Sequence, residues 1–356
     1  EFRVHAVEPY HLDLYRQGLE VSLVMPLGWY DEHGPRATMQ ITPDGDYSQT
    51  GARWNTQGYT SPHHQQFVTA PERSGLYYFQ ARTGSGARFG FPWIVSPATP
   101  REPIAVLASN LTWNAYNSFG GRSNYIHPDG FPLTPTVNSR QELKRYTDPE
   151  HLNYDAEEYP PLSFDRPEPI NHIDPTEQPT DPIEGRAACH LAPAEWRLLA
   201  WLEREGFGYD FHAETQLHDG GMNLSAYRVL ILSTHPEYWS VAMYERVKSW
   251  VRHEGGRLMY LGGNGLNCAV EFVDTNRVIY RNGDARALRS RGLYSRMHVT
   301  DESEANLLGV VFDERGIGGR QRELVVGILL IEDLVAIVLM AALTAVATGA
   351  GLSALA

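Results

Sequence analysis

The sequence predicts an α/β fold: a parallel sheet alternating with helices, preceded by an all-β region and followed by an apolar helix. Three observations predict it. After residue 98, four short aliphatic runs each end in polar residues or glycines, and two helical patterns lie between them. Before residue 97, short alternating segments sit between Gly, Pro, Asp and Ser turns. From Leu334 to Ala356 no charged residue occurs. The expected organisation is a β-sandwich over 1–97, an α/β domain over 98–319 with an inserted loop over 126–190, and an apolar tail over 320–356.

Within the first region, Ala37–Ile41 and Gly75–Arg82 read as strands. Pro43-Asp44-Gly45-Asp46 is a turn, because proline presets φ and glycine accepts a positive φ. Phe89–Val95 closes the region, and the spacing predicts an antiparallel sandwich. The chain opens at Glu1-Phe2-Arg3-Val4 with no initiator Met or visible signal peptide, so the sandwich is expected to be truncated at its front. Ser96–Pro103, with three prolines, marks the boundary.

Ile104–Ala108 is then the first strand of the α/β region. It runs into Ser109–Asn117 and the pair Gly120-Gly121, which read as a site loop. The stretch 126–190 is rich in Pro, Asp, Glu and His without periodicity, as expected for a lid or an insertion. Ala194–Gly206 is a helix with Trp196, Leu199 and Leu202 on one face, and Gly206 ends it. Tyr209–His212, Tyr227–Leu232 and Arg257–Leu261 are the remaining strands, and Val241–His253 is the second helix. Right-handed crossovers would make them one parallel sheet. Residues 269–319 read as turns and strands.

The third strand is where chemistry collects. It ends in Ser233-Thr234-His235-Pro236-Glu237, and ligands of open α/β sheets bind beyond the carboxyl ends of strands. His235 can act as a base or metal ligand, and Glu237 as a ligand or acid/base group. The competing reading is structural: Pro236 ends the strand, and Glu237 and Ser240 cap the next helix. After the fourth strand, Asn264 in Gly262-Gly263-Asn264-Gly265 can donate its amide to an oxyanion, or simply occupy a left-handed turn.

Several classes are excluded. A net charge of -13 argues against a nucleic-acid partner, whose phosphates need a basic face. Two cysteines, Cys189 and Cys268, make no disulfide framework. No Gly-x-Ser-x-Gly elbow, Cys-x-x-Cys or His-Glu-x-x-His occurs, and the glycine loop lacks dinucleotide or Walker spacing. The globular part is expected in the cytoplasm, with membrane contact only through the tail, which is long enough to span a bilayer.

An ordered series carries a resemblance: Asn114-Ala115-Tyr116-Asn117, Gly120-Gly121, Tyr125, Ser163-Phe164-Asp165-Arg166-Pro167, His235–Ser240 and Leu261–Gly265. Over roughly 65–315 the chain resembles the large (beta) subunit of N,N-dimethylformamidase and its wider family. The resemblance implies hydrolysis of a small amide, with a small partner subunit and a homo-oligomer as expected partners. It implies a β-sandwich beside a flavodoxin-like domain similar to class I glutamine amidotransferases, without their Cys nucleophile. It also implies a mononuclear ferric iron held by two Tyr phenolates and a Glu. Carried onto this chain, the metal ligands are Glu237, Tyr116 and Tyr77, with Tyr78 or Tyr125 as alternatives to Tyr77. His235 would orient water or shuttle protons, with Asn264 as the second catalytic candidate. The competing expectation is an inactive amidotransferase-like module that binds a carbohydrate or a partner subunit. Two departures stand out: the insertion is long, and Gly327–Val338 resembles a transmembrane helix of monovalent cation:proton antiporters. A junction of two unrelated reading frames is therefore expected near Gly316–Gly319.

Overall fold

The computed structural model describes residues 1–31, 54, 56–60, 66–117, 119, 122–123, 137–138, 161–172, 191–281, 285–297 and 302–310. The chain divides into two units, Glu1–Val311 and Phe312–Ala356. The second unit, the predicted strand Ala37–Ile41 and most of 126–190 lie outside the described residues.

The β-rich region forms one antiparallel sheet from β1 (Tyr10–Gln17), β2 (Val21–Tyr30), β3 (Gly75–Thr83) and β4 (Arg88–Val95), in the order β2-β1-β3-β4. Alternation along each strand sorts its two faces. Tyr10, Leu12 and Leu14 of β1 meet Tyr77, Phe79 and Ala81 of β3, with Phe2 over them. On the other face, Leu76 and Ile94 enter the hydrophobic core of the α/β part. Among the described residues there is therefore one sheet where the sequence predicted a two-sheet sandwich.

The parallel sheet is built from β5 (Ile104–Ala108), β9 (Asp210–Ala213), β10 (Val229–Thr234) and β12 (Arg257–Gly262). These are the four predicted strands: β5 has the predicted bounds, and the ends of the other three differ by one or two residues. Their spatial order is β12-β10-β5-β9, all parallel, so the second strand in sequence lies outside the first. Ala105 to Ala108 and Leu230 to Leu232 are buried, whereas β12 exposes Met259 and Leu261, as an edge strand does. Helices α2 (Ala192–Arg204), α3 (Glu214–Asp219) and α4 (Val241–His253) connect the strands.

Two expectations are corrected here. Ser109–Asn117 is not a loop, because Asn110–Tyr116 forms helix α1 with Leu111, Trp113 and Tyr116 buried. The stretch 126–190 is not wholly irregular either. Its β7 (Val137–Asn138) pairs with β6 (Arg122–Ser123), and its β8 (Leu162–Ser163) joins a mixed sheet, β11-β13-β14-β8, with β11 (Tyr238–Ser240), β13 (Cys268–Phe272) and β14 (Arg277–Tyr280). Residues 285–290 and 305–308 add short helices to the turns and strands expected after 269. Cys268 is a buried thiol that accepts from Arg296 Nη1 at 3.2 Å. Among the described residues no helix is long and apolar enough to cross a membrane.

Candidate active site

The order of the parallel sheet reverses between β5 and β10, and such a switch opens a crevice beyond the carboxyl ends of the two strands. Helix α1 leaves β5 there, and His235-Pro236-Glu237 leave β10. The Tyr116 hydroxyl donates to Glu237 Oε2 and lies 3.1 Å from His235 Nε2. His235 Nε2 is 3.4 Å from Glu237 Oε2, and Asn267 Nδ2 donates to Glu237 Oε1 at 3.4 Å. Glu237, Tyr116 and Asn267 are all buried. The structural reading of this segment divides: Ser240 is the N-cap of α4, its Oγ accepting from Met243 N at 3.3 Å, while Glu237 turns inward to Tyr116.

The backbone beneath these side chains is strained and tied down. Thr234 (φ 63°), Asn264 (φ 52°) and Leu266 (φ 52°) are the non-glycine residues with positive φ among those described, and all three flank the site. A β-branched residue in that region is costly and persists only where its surroundings enforce it. Here Thr112 Oγ1 donates to the His235 carbonyl (2.6 Å) and accepts from Glu237 N (3.2 Å). Leu266 N donates to Pro236 O and Cys268 N to Glu237 O, at 2.8 and 2.9 Å. Gly262 is required for close approach, since an added Cβ would lie 2.8 Å from Pro236 Cδ.

Helix α1 is seven residues long, too short to persist by itself. Distant groups hold it. Glu195 accepts from Ser109 N and from Thr234 Oγ1, each at 2.9 Å. Glu214 accepts from Leu111 N at 2.9 Å and from Trp239 Nε1 at 2.8 Å. These carboxyls satisfy amides at the amino end of α1, which the helix itself leaves open. Burial pushes the Glu195 carboxyl up to about 7 and Glu214 well above the ordinary range, against hydrogen bonds that favour the charge.

Of the sequence-predicted residues, the structure brings together Tyr116, His235 and Glu237. It does not bring Tyr77 to them. The Tyr77 hydroxyl donates to the Arg73 carbonyl at 2.7 Å and its ring meets Trp93, on the face of β3 that carries Phe79. Neighbouring residues of a strand point oppositely, so Tyr78 shares the face of Leu76, which enters the α/β core; its buried ring stacks on Tyr15 at 5.2 Å. Tyr125 lies outside the described residues. Asn264 makes the left-handed turn and its carbonyl accepts from Asn267 N, so the amide that reaches Glu237 comes from Asn267. Sequence reasoning missed Asn267 and Glu195. The second had a signal: it lies four residues before Leu199 and seven before Leu202, on the buried face of α2.

Among the described residues no cluster of three or more His, Cys, Asp or Glu could hold a metal ion. A metal here would depend on the Tyr116 phenolate beside Glu237. That pair of hard oxygen donors, with an imidazole next to it, suits ferric iron.

Comparison with known proteins gives a consistent result. The family described as "N,N-dimethylformamidase beta subunit-like, C-terminal" matches residues 22–343. The N,N-dimethylformamidase beta subunit of Alcaligenes sp is 27% identical over 269 residues, covering 64% of this chain and 33% of that protein. The subunit of the same name from Paracoccus aminophilus is 29% identical over 217 residues, covering 56% of this chain and 26% of that protein. The chain thus corresponds to about a third or less of these relatives' length. The family match continues past Gly316–Gly319, so the expected junction and the antiporter-like reading of Gly327–Val338 find no support.

Proposed function

This chain belongs to the N,N-dimethylformamidase beta subunit-like family, and from that premise we propose that it hydrolyses the C–N bond of a small amide at the crevice between β5 and β10. The observation that carries the proposal is the Tyr116 hydroxyl on Glu237 with His235 Nε2 3.1 Å away, at the switch point of the sheet. The four-strand order matches that of flavodoxin-like sheets, which supports a class I glutamine amidotransferase-like reading of the domain. The relatives' designation as beta subunits supports a partner subunit.

Tyr116 and Glu237 would hold a ferric ion, and the parity of β3 favours Tyr78 over Tyr77 as the second phenolate. When bound, such an ion would polarise the amide carbonyl and acidify water. The residues of the chain do the rest. Asn267 fixes the Glu237 carboxylate, and Thr112 fixes the backbone of His235. His235 Nε2 takes a proton from the attacking water and returns it to the leaving nitrogen. The water oxygen bonds to the carbonyl carbon, the C–N bond breaks with its electron pair on nitrogen, and the products are a carboxylic acid and an amine.

The test is metal analysis, visible absorption and hydrolysis of N,N-dimethylformamide by the purified full chain. The expected results are bound iron, a phenolate-to-metal absorption band weakened in Tyr116→Phe, and hydrolysis lost in Glu237→Gln. A protein that stays colourless after iron loading and leaves small amides intact would instead be a binding module.

A further inference from the structure

The segment Ser163-Phe164-Asp165-Arg166-Pro167 has no part in the chemistry above, yet Arg166 is among the most engaged side chains of the described residues. Its head is buried, with the residue 6% exposed. Arg166 Nε donates to Ser163 O at 3.0 Å. Nη1 donates to Asn117 O (3.0 Å) and Phe119 O (2.6 Å). Nη2 donates to Asn114 O (2.6 Å) and Asn114 Oδ1 (3.0 Å). A guanidinium has five N–H groups in a fixed plane, and five acceptors among the described residues meet them. Three of the acceptors are carbonyls at or just beyond the carboxyl end of α1, which the helix leaves unsatisfied and where its dipole favours a cation.

The two asparagines that flank Tyr116 complete the clamp. Asn114 Nδ2 donates to Tyr280 Oη at 3.2 Å and to Leu162 O at 3.4 Å. Asn117 Nδ2 donates to Pro167 O at 2.8 Å, and its Oδ1 accepts from Phe119 N at 3.0 Å. Tyr116 is the last residue of α1, so this network sets the azimuth and depth of its ring. Displacements of about an ångström at a reacting group are enough to cost activity.

We propose that Arg166 is a positioning residue for Tyr116, holding the carboxyl end of α1 so that the phenol meets Glu237 and His235. The proposal rests on the reading of Tyr116 as a site group, but not on amide hydrolysis. Lysine cannot replace it, because an ammonium has three donors about one point and cannot reach five acceptors in a plane.

The test uses the full chain labelled with 3-fluorotyrosine and fluorine NMR. Tyr116→Phe and Tyr77→Phe assign the two signals. In Arg166→Lys the Tyr116 signal should shift and broaden while that of Tyr77, anchored on the Arg73 carbonyl, stays in place. A folded Arg166→Lys in which neither signal moves overturns the proposal, as does one in which both move alike, the mark of a merely structural residue. Should Arg166→Lys fail to fold, Asn117→Ala removes the bonds to Pro167 O and Phe119 N and leaves the five described guanidinium acceptors; the Tyr116 signal should again move alone, and a Tyr116 signal that stays in place overturns the proposal. No substrate or metal enters the measurement, so its failure is distinct from failure of the hydrolase reading.

Discussion

The parallel sheet carries two groups of the same composition, a histidine, a tyrosine and a carboxylate. Near the amino ends of its strands, Tyr227 Oη donates to Asp210 Oδ2 at 3.1 Å and lies 2.8 Å from His212 Nε2. At the carboxyl ends, Tyr116 meets Glu237 and His235 in the same way. Their surroundings differ. Asp210 is taken up by two backbone amides, Arg101 N and Glu102 N, at 2.8 and 3.3 Å, and Tyr227 has an ordinary φ of −107°. Burial pulls His212 down to about 4 and pushes the Tyr227 phenol up, so the group stays neutral around Asp210. The carboxyl-end group instead rests on Thr234 at φ 63°, on two further left-handed residues, and on buried Glu195 and Glu214. Residue types alone do not make a site. Strained backbone, converging loops and a switch point separate the candidate active group from the structural one.

The largest effect should come from crossing the two groups. Glu237→Gln should lower kcat/KM for a small amide by about 10³-fold, roughly 4 kcal/mol. Tyr227→Phe should leave kcat unchanged and cost about 1–3 kcal/mol of stability, because Asp210 loses a donor. Comparable activity losses in both variants would erase the distinction.

Next is pH. His212 has a folded pKa of about 4 against 6.5 for the free side chain, so between those values the unfolded chain binds more protons. Stability from this group is full above pH 6.5 and falls as pH drops towards 4, by roughly 3 kcal/mol. His212→Gln should flatten that arm in urea titrations across pH, and an unchanged slope would refute the assignment. Glu195 works oppositely. Its folded pKa of about 7 exceeds the ordinary 4.5, so stability falls as pH rises from 4.5 to 7. Glu195→Gln should recover on the order of 3 kcal/mol at pH 8 and nothing at pH 4. A loss at pH 8 would show that the charged carboxylate is needed to hold Ser109 and Thr234. Smallest is Ser240→Ala, which removes the cap of α4 and should cost about 1 kcal/mol with no change in kcat.

Much of this architecture was legible before folding. Ile104–Ala108 and Val241–His253 have the predicted bounds, and the other three parallel strands differ by one or two residues at their ends. Aliphatic runs, helical periodicity and glycine stops act over a few residues, so a linear reading recovers them. The choice between helix and loop for Asn110–Tyr116 was not legible. Its stability comes from Glu195, Glu214 and Arg166, whose contacts span 86, 103 and about 50 positions of chain.

By itself, then, the sequence determined the four strands of the parallel sheet, β3, β4 and the helices α2 and α4, that polar clusters close the strands, and that Ser240 can cap the helix after Glu237. The ordered motifs marked Tyr116, His235 and Glu237. Only the tertiary structure decided that Glu237 turns to Tyr116 instead of capping, that Asn267 rather than Asn264 reaches its carboxylate, and that Tyr77 lies on the opposite face of β3 from Leu76. The physical reason is the same in each case. Which of two neighbouring side chains faces a site depends on strand parity and loop closure, and those are set when distant layers pack, not by local preference.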